Sequence, residues 1–137
     1  THYYYRPYAS KNIVYLRSMP YDQFTSLINQ SDVCLALYYQ PKHFPFYFYP
    51  MKLIDYLSAG KPIIATKLGS INTLIDNNVN GFVSDNTISN ITQTILRLKR
   101  NRKLAKTIAR NGRAYAITNL SDAHARLKYQ TLLQSHL

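Results

Sequence analysis

The chain contains no glutamate. Its six acidic residues, all aspartates, stand against 17 lysines and arginines, giving a formal net charge of +11 over 137 residues. The single cysteine, Cys34, rules out an internal disulfide. Its place in the apolar run Val33-Cys34-Leu35-Ala36-Leu37 reads as a small buried hydrophobe in a reducing compartment. No apolar run approaches the ~20 residues that span a bilayer, and Thr1 to Arg6 lacks the charged-then-apolar layout of a secretory leader. A cytoplasmic location is therefore expected. Thr1 stands where an initiator methionine would, which reads as a piece excised from something longer. Without Gly-x-Gly-x-x-Gly, a Walker loop or Gly-x-Ser-x-Gly, the dehydrogenase, P-loop ATPase and α/β-hydrolase classes are disfavoured. No cluster has metal-ligand spacing, so no metal is expected, and His43 is a lone loop histidine with no assigned role.

What the chain does have is concentrated positive charge. Arg97, Lys99, Arg100, Arg102, Lys103, Lys106, Arg110 and Arg113 gather in one region. Such a field favours anionic lipid headgroups, nucleic acid or phosphorylated small molecules, and a well-solvated helix surface accounts for it somewhat better than any one of these partners. The length suits one domain with a sizeable core.

The chain reads as alternating strands and helices, without repeats or linkers. Asn12 to Leu16 is a β-type run. Pro20 opens a helix with Phe24, Leu27 and Ile28 on one face. Asp32 to Tyr38 is nearly continuous in apolar residues, as in a strand covered on both faces. Residues 39–50 form an aromatic, proline-rich loop, and the rings of the segment Tyr38–Pro50 stack on a base or sugar, or pack the loop down against the domain. A helix from Met51 to Ala59 ends at Gly60, with Pro62 barring continuation, and Pro62 to Thr66 is a buried strand. Ser70 caps a short helix through Ile71, Leu74 and Ile75. The Asn77–Gly81 turn leads into the Phe82-Val83 strand. An amphipathic helix follows with Ile88, Ile91, Ile95 and Leu98 at helical spacing, then a helix from Arg102 to about Ile117, and Ser121 caps a last one. This rhythm predicts an α/β fold, an open parallel sheet of three or four strands that binds ligands beyond its carboxyl edge.

The segment Tyr49-Pro50-Met51-Lys52-Leu53-Ile54-Asp55-Tyr56-Leu57-Ser58-Ala59-Gly60-Lys61-Pro62 carries the most information. A cation is disfavoured at a helix start, where the dipole is positive and N–H groups lack partners, unless an anion sits there. Lys52 is such a cation. Asp55, three residues on, shares its helix face and is either an exposed ion-pair partner or an acceptor for a hydroxyl pair. Gly69 follows a buried strand and either lets backbone N–H groups approach a ligand or merely makes the turn.

Together with Leu68-Gly69-Ser70-Ile71 and Asn80-Gly81-Phe82-Val83, this block resembles the C-terminal, nucleotide-sugar-binding domain of group 1 glycosyltransferases with the GT-B fold. The similarity covers most of residues 11–100. It implies a Rossmann-like open parallel sheet with helices on both faces, as an incomplete GT-B C-terminal domain. Residues 1–137 would form a single, partial donor-binding domain, with 120–137 as a C-terminal helix. The implied donor-substrate site comprises Pro50, Met51, Lys52, Asp55 and Gly69, with Lys52 on the diphosphate and Asp55 at the family's ribose-binding glutamate. No cofactor is implied beyond the nucleoside-diphosphate sugar itself, and no catalytic residue is assigned. A second family glutamate, near the transferred sugar, is replaced by Tyr47.

The resemblance implies a hexosyltransferase-like enzyme of polysaccharide biosynthesis, retaining anomeric configuration and delivering a sugar to a glycan or lipid-linked acceptor. Its partners would be the nucleotide sugar, an N-terminal acceptor-binding domain outside this sequence, and an anionic membrane at the inner face. The isolated chain is expected to be inactive. A non-catalytic partner subunit and, with less support, a basic nucleic-acid-binding module stand as alternatives.

Overall fold

A computed structural model describes residues 11–38 and 50–134. Their elements run α1 (Tyr21–Gln30), β1 (Cys34–Ala36), α2 (Met51–Ser58), β2 (Ile63–Thr66), α3 (Ile71–Leu74), β3 (Phe82–Ser84), α4 (Ile88–Arg100), α5 (Arg102–Asn119) and α6 (Asp122–Gln134). The three strands form one parallel sheet in the order β1-β2-β3, with Cys34 opposite Ile63 and Ile64 opposite Phe82. This is the α/β open sheet the sequence predicts.

The central strand β2 explains why Ile63-Ile64-Ala65-Thr66 contains no residue suited to solvent: all four are buried. Alternate strand residues face opposite sides. Ile63 and Ala65 join Leu53, Leu57, Ile71 and Leu74 on one face, while Ile64 joins Phe82, Leu98 and Ile108 on the other. Each fully buried Leu or Ile contributes about 1.5–3 kcal/mol of burial free energy, so the two faces hold the layers together. Helix α5 reaches both clusters, Ile108 lying in one and Ala116 in the other. It crosses closely at Gly112, where an added Cβ would sit 3.0 Å from the Leu57 side chain and 3.1 Å from the Asn80 carbonyl.

Local signals set the boundaries. Gly60 adopts φ +61° just past α2, and Thr87 accepts the Asn90 N–H at the start of α4. Asn101 and Ser121 accept the Leu104 and His124 N–H groups in the same way. In the turn before β3, the buried Asn80 side chain accepts the Asp76 N–H and donates to the Leu74 carbonyl.

Several expectations fail. Residues 12–16 form no strand: Ile13 to Leu16 are exposed, and β1 pairs with β2 alone among the described residues. A β-type run needs a backbone partner, which propensity does not supply. Strand β1 is covered on one face only; Cys34 and Ala36 are buried, but Leu35 is 40% and Leu37 41% exposed. Leu27 also stays exposed, and Ile88 is 86% exposed because it begins α4 beyond the layer that Leu98 enters. Ser70 occupies the N-cap of α3 without a side-chain capping bond. Most of the aromatic loop, with His43 and Tyr47, lies outside the described residues.

Candidate functional site

In a parallel sheet the residues just past each strand share one edge, and the helix that returns to the next strand starts there. Two strand ends are tied together at that edge by a side chain. Thr66 Oγ1, on a residue 1% exposed, accepts the Tyr38 N–H at 2.7 Å and donates to the Tyr38 carbonyl at 3.0 Å. The staple holds the Tyr38 ring beside the start of α2, where the Lys52 ammonium lies 4.6 Å from the ring centroid. Burial pushes the Tyr38 phenol up to about 12, so the ring stays neutral and its face stays attractive to a cation.

Lys52 has no carboxylate within ion-pair distance, although all six acids of the chain lie among the described residues. The cation–π contact orients the ammonium without neutralising it. The expected alternative, an ion pair with Asp55, does not form. Asp55 Oδ1 instead accepts the Tyr21 hydroxyl at 2.9 Å, which fixes the start of α1 against α2 and raises the Tyr21 phenol through that bond.

Pro50 is the buried N-cap of α2; it has no N–H, and its carbonyl accepts the Leu53 N–H at 2.9 Å. Met51 follows with its side chain 65% exposed. The first N–H groups of a helix have no intrahelical acceptor, so the uncompensated Lys52 charge adds to a locally positive end. Gly69, at φ +51°, lies in the loop that leaves β2 three residues beyond Thr66. It makes no hydrogen bond to Lys52 or Asp55. The structure thus gathers Lys52 with the ends of β1 and β2, buries Pro50 and exposes Met51 at the start of α2, draws Asp55 toward α1, and leaves Gly69 on the neighbouring loop.

Sequence reasoning missed the bond between Thr66 and Tyr38. One signal was available, the lone hydroxyl at the end of an otherwise apolar buried strand. Among the described residues no group of three or more His, Cys, Asp or Glu side chains gathers to hold a metal, and no helix is long and apolar enough to cross a membrane.

Residues 8–115 match the family model of glycosyl transferases group 1. No curated protein sequence matches the chain. Among solved structures, HepE from Anabaena in complex with UDP superposes with a TM-score of 0.68 at 22% identity, covering 80% of this chain and 29% of its own. Sucrose-phosphate synthase from Thermosynechococcus elongatus superposes with a TM-score of 0.72 at 17% identity, covering 89% and 29%. The C-terminal domain of a glycosyl transferase group 1 family protein, LpcC, from Francisella tularensis gives 0.63 at 19% identity, covering 80% and 53%. The chain therefore spans less than a third of the first two structures, and the likeness shows a shared fold.

Proposed function

The chain belongs to the glycosyl transferases group 1 family, and from that membership we propose that it forms the donor-binding part of a sugar-nucleotide-dependent glycosyltransferase. One observation carries the reading. At the sheet's carboxyl edge, the Lys52 ammonium is held over Tyr38 at a helix start, with no carboxylate to neutralise it. That placement is electrostatically unfavourable by itself and becomes favourable around a diphosphate.

In this reading Lys52 and the first N–H groups of α2 bind the diphosphate. They stabilise the charge that grows on the departing nucleoside diphosphate as the glycosidic bond breaks. Asp55 keeps one carboxylate oxygen for ribose hydroxyls while the other holds Tyr21. The exposed thioether of Met51 packs on the nucleoside, and the Gly69 loop lets its backbone approach from the β2 side. The HepE structure with UDP-glucose supports a nucleotide sugar as the donor class.

We further propose that this is an incomplete domain. Among the described residues β1 has a strand partner on one side only, and its other edge, with the exposed Leu35 and Leu37, would be covered by the remainder of the donor-binding domain, and an acceptor-binding domain would complete the enzyme. Transfer to a glycan or lipid-linked acceptor needs that second half to exclude water and align the acceptor. The same reading places the parent enzyme in the cytoplasm, with the α4–α5 cations toward an anionic membrane.

Titration of the chain with UDP, GDP and a DNA oligomer tests the proposal. Saturable binding of a nucleoside diphosphate, with the free nucleoside binding far more weakly, supports it. Oligomer binding that falls steeply with salt, without nucleotide binding, overturns it in favour of a nucleic-acid module.

A further inference from the structure

A cleft of about 520 Å³ lies between α4 and β3, the edge strand of the sheet away from β1. Its walls are polar. Arg97 is fixed there, its guanidinium 5.5 Å over the Phe82 ring and donating to Asn78 Oδ1 at 3.1 Å. Lys67 also lines the cleft, its backbone N–H anchored on the Ser84 carbonyl at 2.9 Å. Neither cation has a carboxylate within ion-pair distance. The lone acid of the cleft, Asp85, is engaged by the Asn90 amide and the Thr87 hydroxyl, and the Asn90 bond holds its carboxyl below the usual range.

An added β-strand does not occupy this edge. Asn77 Oδ1 already accepts the Val83 N–H at 3.0 Å, and the Gly81 carbonyl already accepts the Asn78 N–H at 2.8 Å. The strand edge is therefore blocked by its own turn.

We propose that this cleft binds an anionic saccharide, a sugar bearing a phosphate or a carboxylate. Lys67 and Arg97 take the anionic group. The side-chain amides of Asn90 and Gln93, which both donate and accept, pair with ring hydroxyls. The volume lies within the range of small-molecule sites. It also continues past Val83 into an adjoining hollow of about 470 Å³ that shares Lys67, which gives room for a second sugar ring.

Calorimetric and amide-shift titrations of the 137-residue chain with glucose 6-phosphate, glucuronate, glucose and inorganic phosphate test the proposal. At least one anionic sugar should bind about tenfold tighter than both glucose and inorganic phosphate, with shifts at residues 77–78, 84 and 93–97. Lys67→Gln and Arg97→Gln should each weaken it by about tenfold, the effect of losing one charge-assisted contact. The thermal midpoint of Lys67→Gln should stay put, which separates loss of binding from loss of fold. Preference for glucose 6-phosphate assigns the anionic group as phosphate and preference for glucuronate as carboxylate; either result supports the site. Phosphate binding as tightly as glucose 6-phosphate, or unaltered binding in Lys67→Gln and Arg97→Gln, overturns it.

Discussion

Replacing Thr66 by valine keeps the shape of the side chain and removes one oxygen. That oxygen accepts the Tyr38 N–H at 2.7 Å and donates to the Tyr38 carbonyl at 3.0 Å, from a residue 1% exposed. Each bond contributes about 1 kcal/mol net, and stranding partly buried backbone groups adds to the loss, so Thr66→Val should destabilise the fold by about 2–3 kcal/mol. Against a domain stability of roughly 5–15 kcal/mol this is a large fraction. With a urea m-value of roughly 1–3 kcal/mol/M, the unfolding midpoint should fall by about 1 M or more. Thr66→Ser keeps the hydroxyl and loses only a methyl, so it should cost about 1 kcal/mol. Because the staple also positions the ring beneath Lys52, nucleotide affinity should fall in the valine variant and persist in the serine variant. If Thr66→Val melts with the wild-type chain in urea, or if serine and valine behave alike, the staple does not hold this edge.

Three further outcomes follow from the packing and the charges. Gly112→Ala puts a Cβ 3.0 Å from Leu57 and 3.1 Å from the Asn80 carbonyl; overpacking of this kind should cost about 1–3 kcal/mol, read as a lowered thermal midpoint. Burial raises the Tyr38 phenol to about 12 from 10.0. The folded state therefore holds its proton more tightly than the unfolded state, so this contribution is complete below pH 10 and is lost as pH rises through 12. Urea melts across that window should show declining stability, with a shallower decline in Tyr38→Phe. Reversing Arg100 and Lys103, both exposed, should reduce binding to anionic liposomes by tenfold or more if the basic surface faces a membrane, at roughly 1 kcal/mol per charge removed; unchanged sedimentation would remove the membrane from the account.

Local signals were the legible part of this fold. Pro20, Gly60 and Ser121 mark helix ends through their own φ preferences or cap oxygens, which act within a few residues, whereas Ser70 makes no capping bond. The Ile63–Thr66 run announces a central parallel strand because both of its faces are covered. Contacts between distant residues were hidden. Nothing near Asp55 in sequence points to Tyr21, 34 residues away, nor anything near Thr66 to Tyr38, 28 residues away. Exposure of Leu35, Leu37 and Ile88 depends on which neighbouring element lies above them, and periodicity carries no information about that. The helix start at Lys52 was legible as an electrostatic oddity. The ring that holds its ammonium became visible only in three dimensions.

The most direct test of the account is the affinity of the Lys52→Ala chain for UDP and GDP, measured by calorimetry beside the wild type. Lys61→Ala serves as the control, since Lys61 donates to the Asn29 carbonyl at 2.6 Å, away from the Tyr38 and Thr66 strand ends. A lost ammonium–phosphate contact is worth about 1.5–3 kcal/mol, so binding should weaken by at least about tenfold in Lys52→Ala and stay unchanged in Lys61→Ala. Equal affinity in wild type and Lys52→Ala, with both chains folded, would contradict the claim that this helix start holds a nucleoside diphosphate.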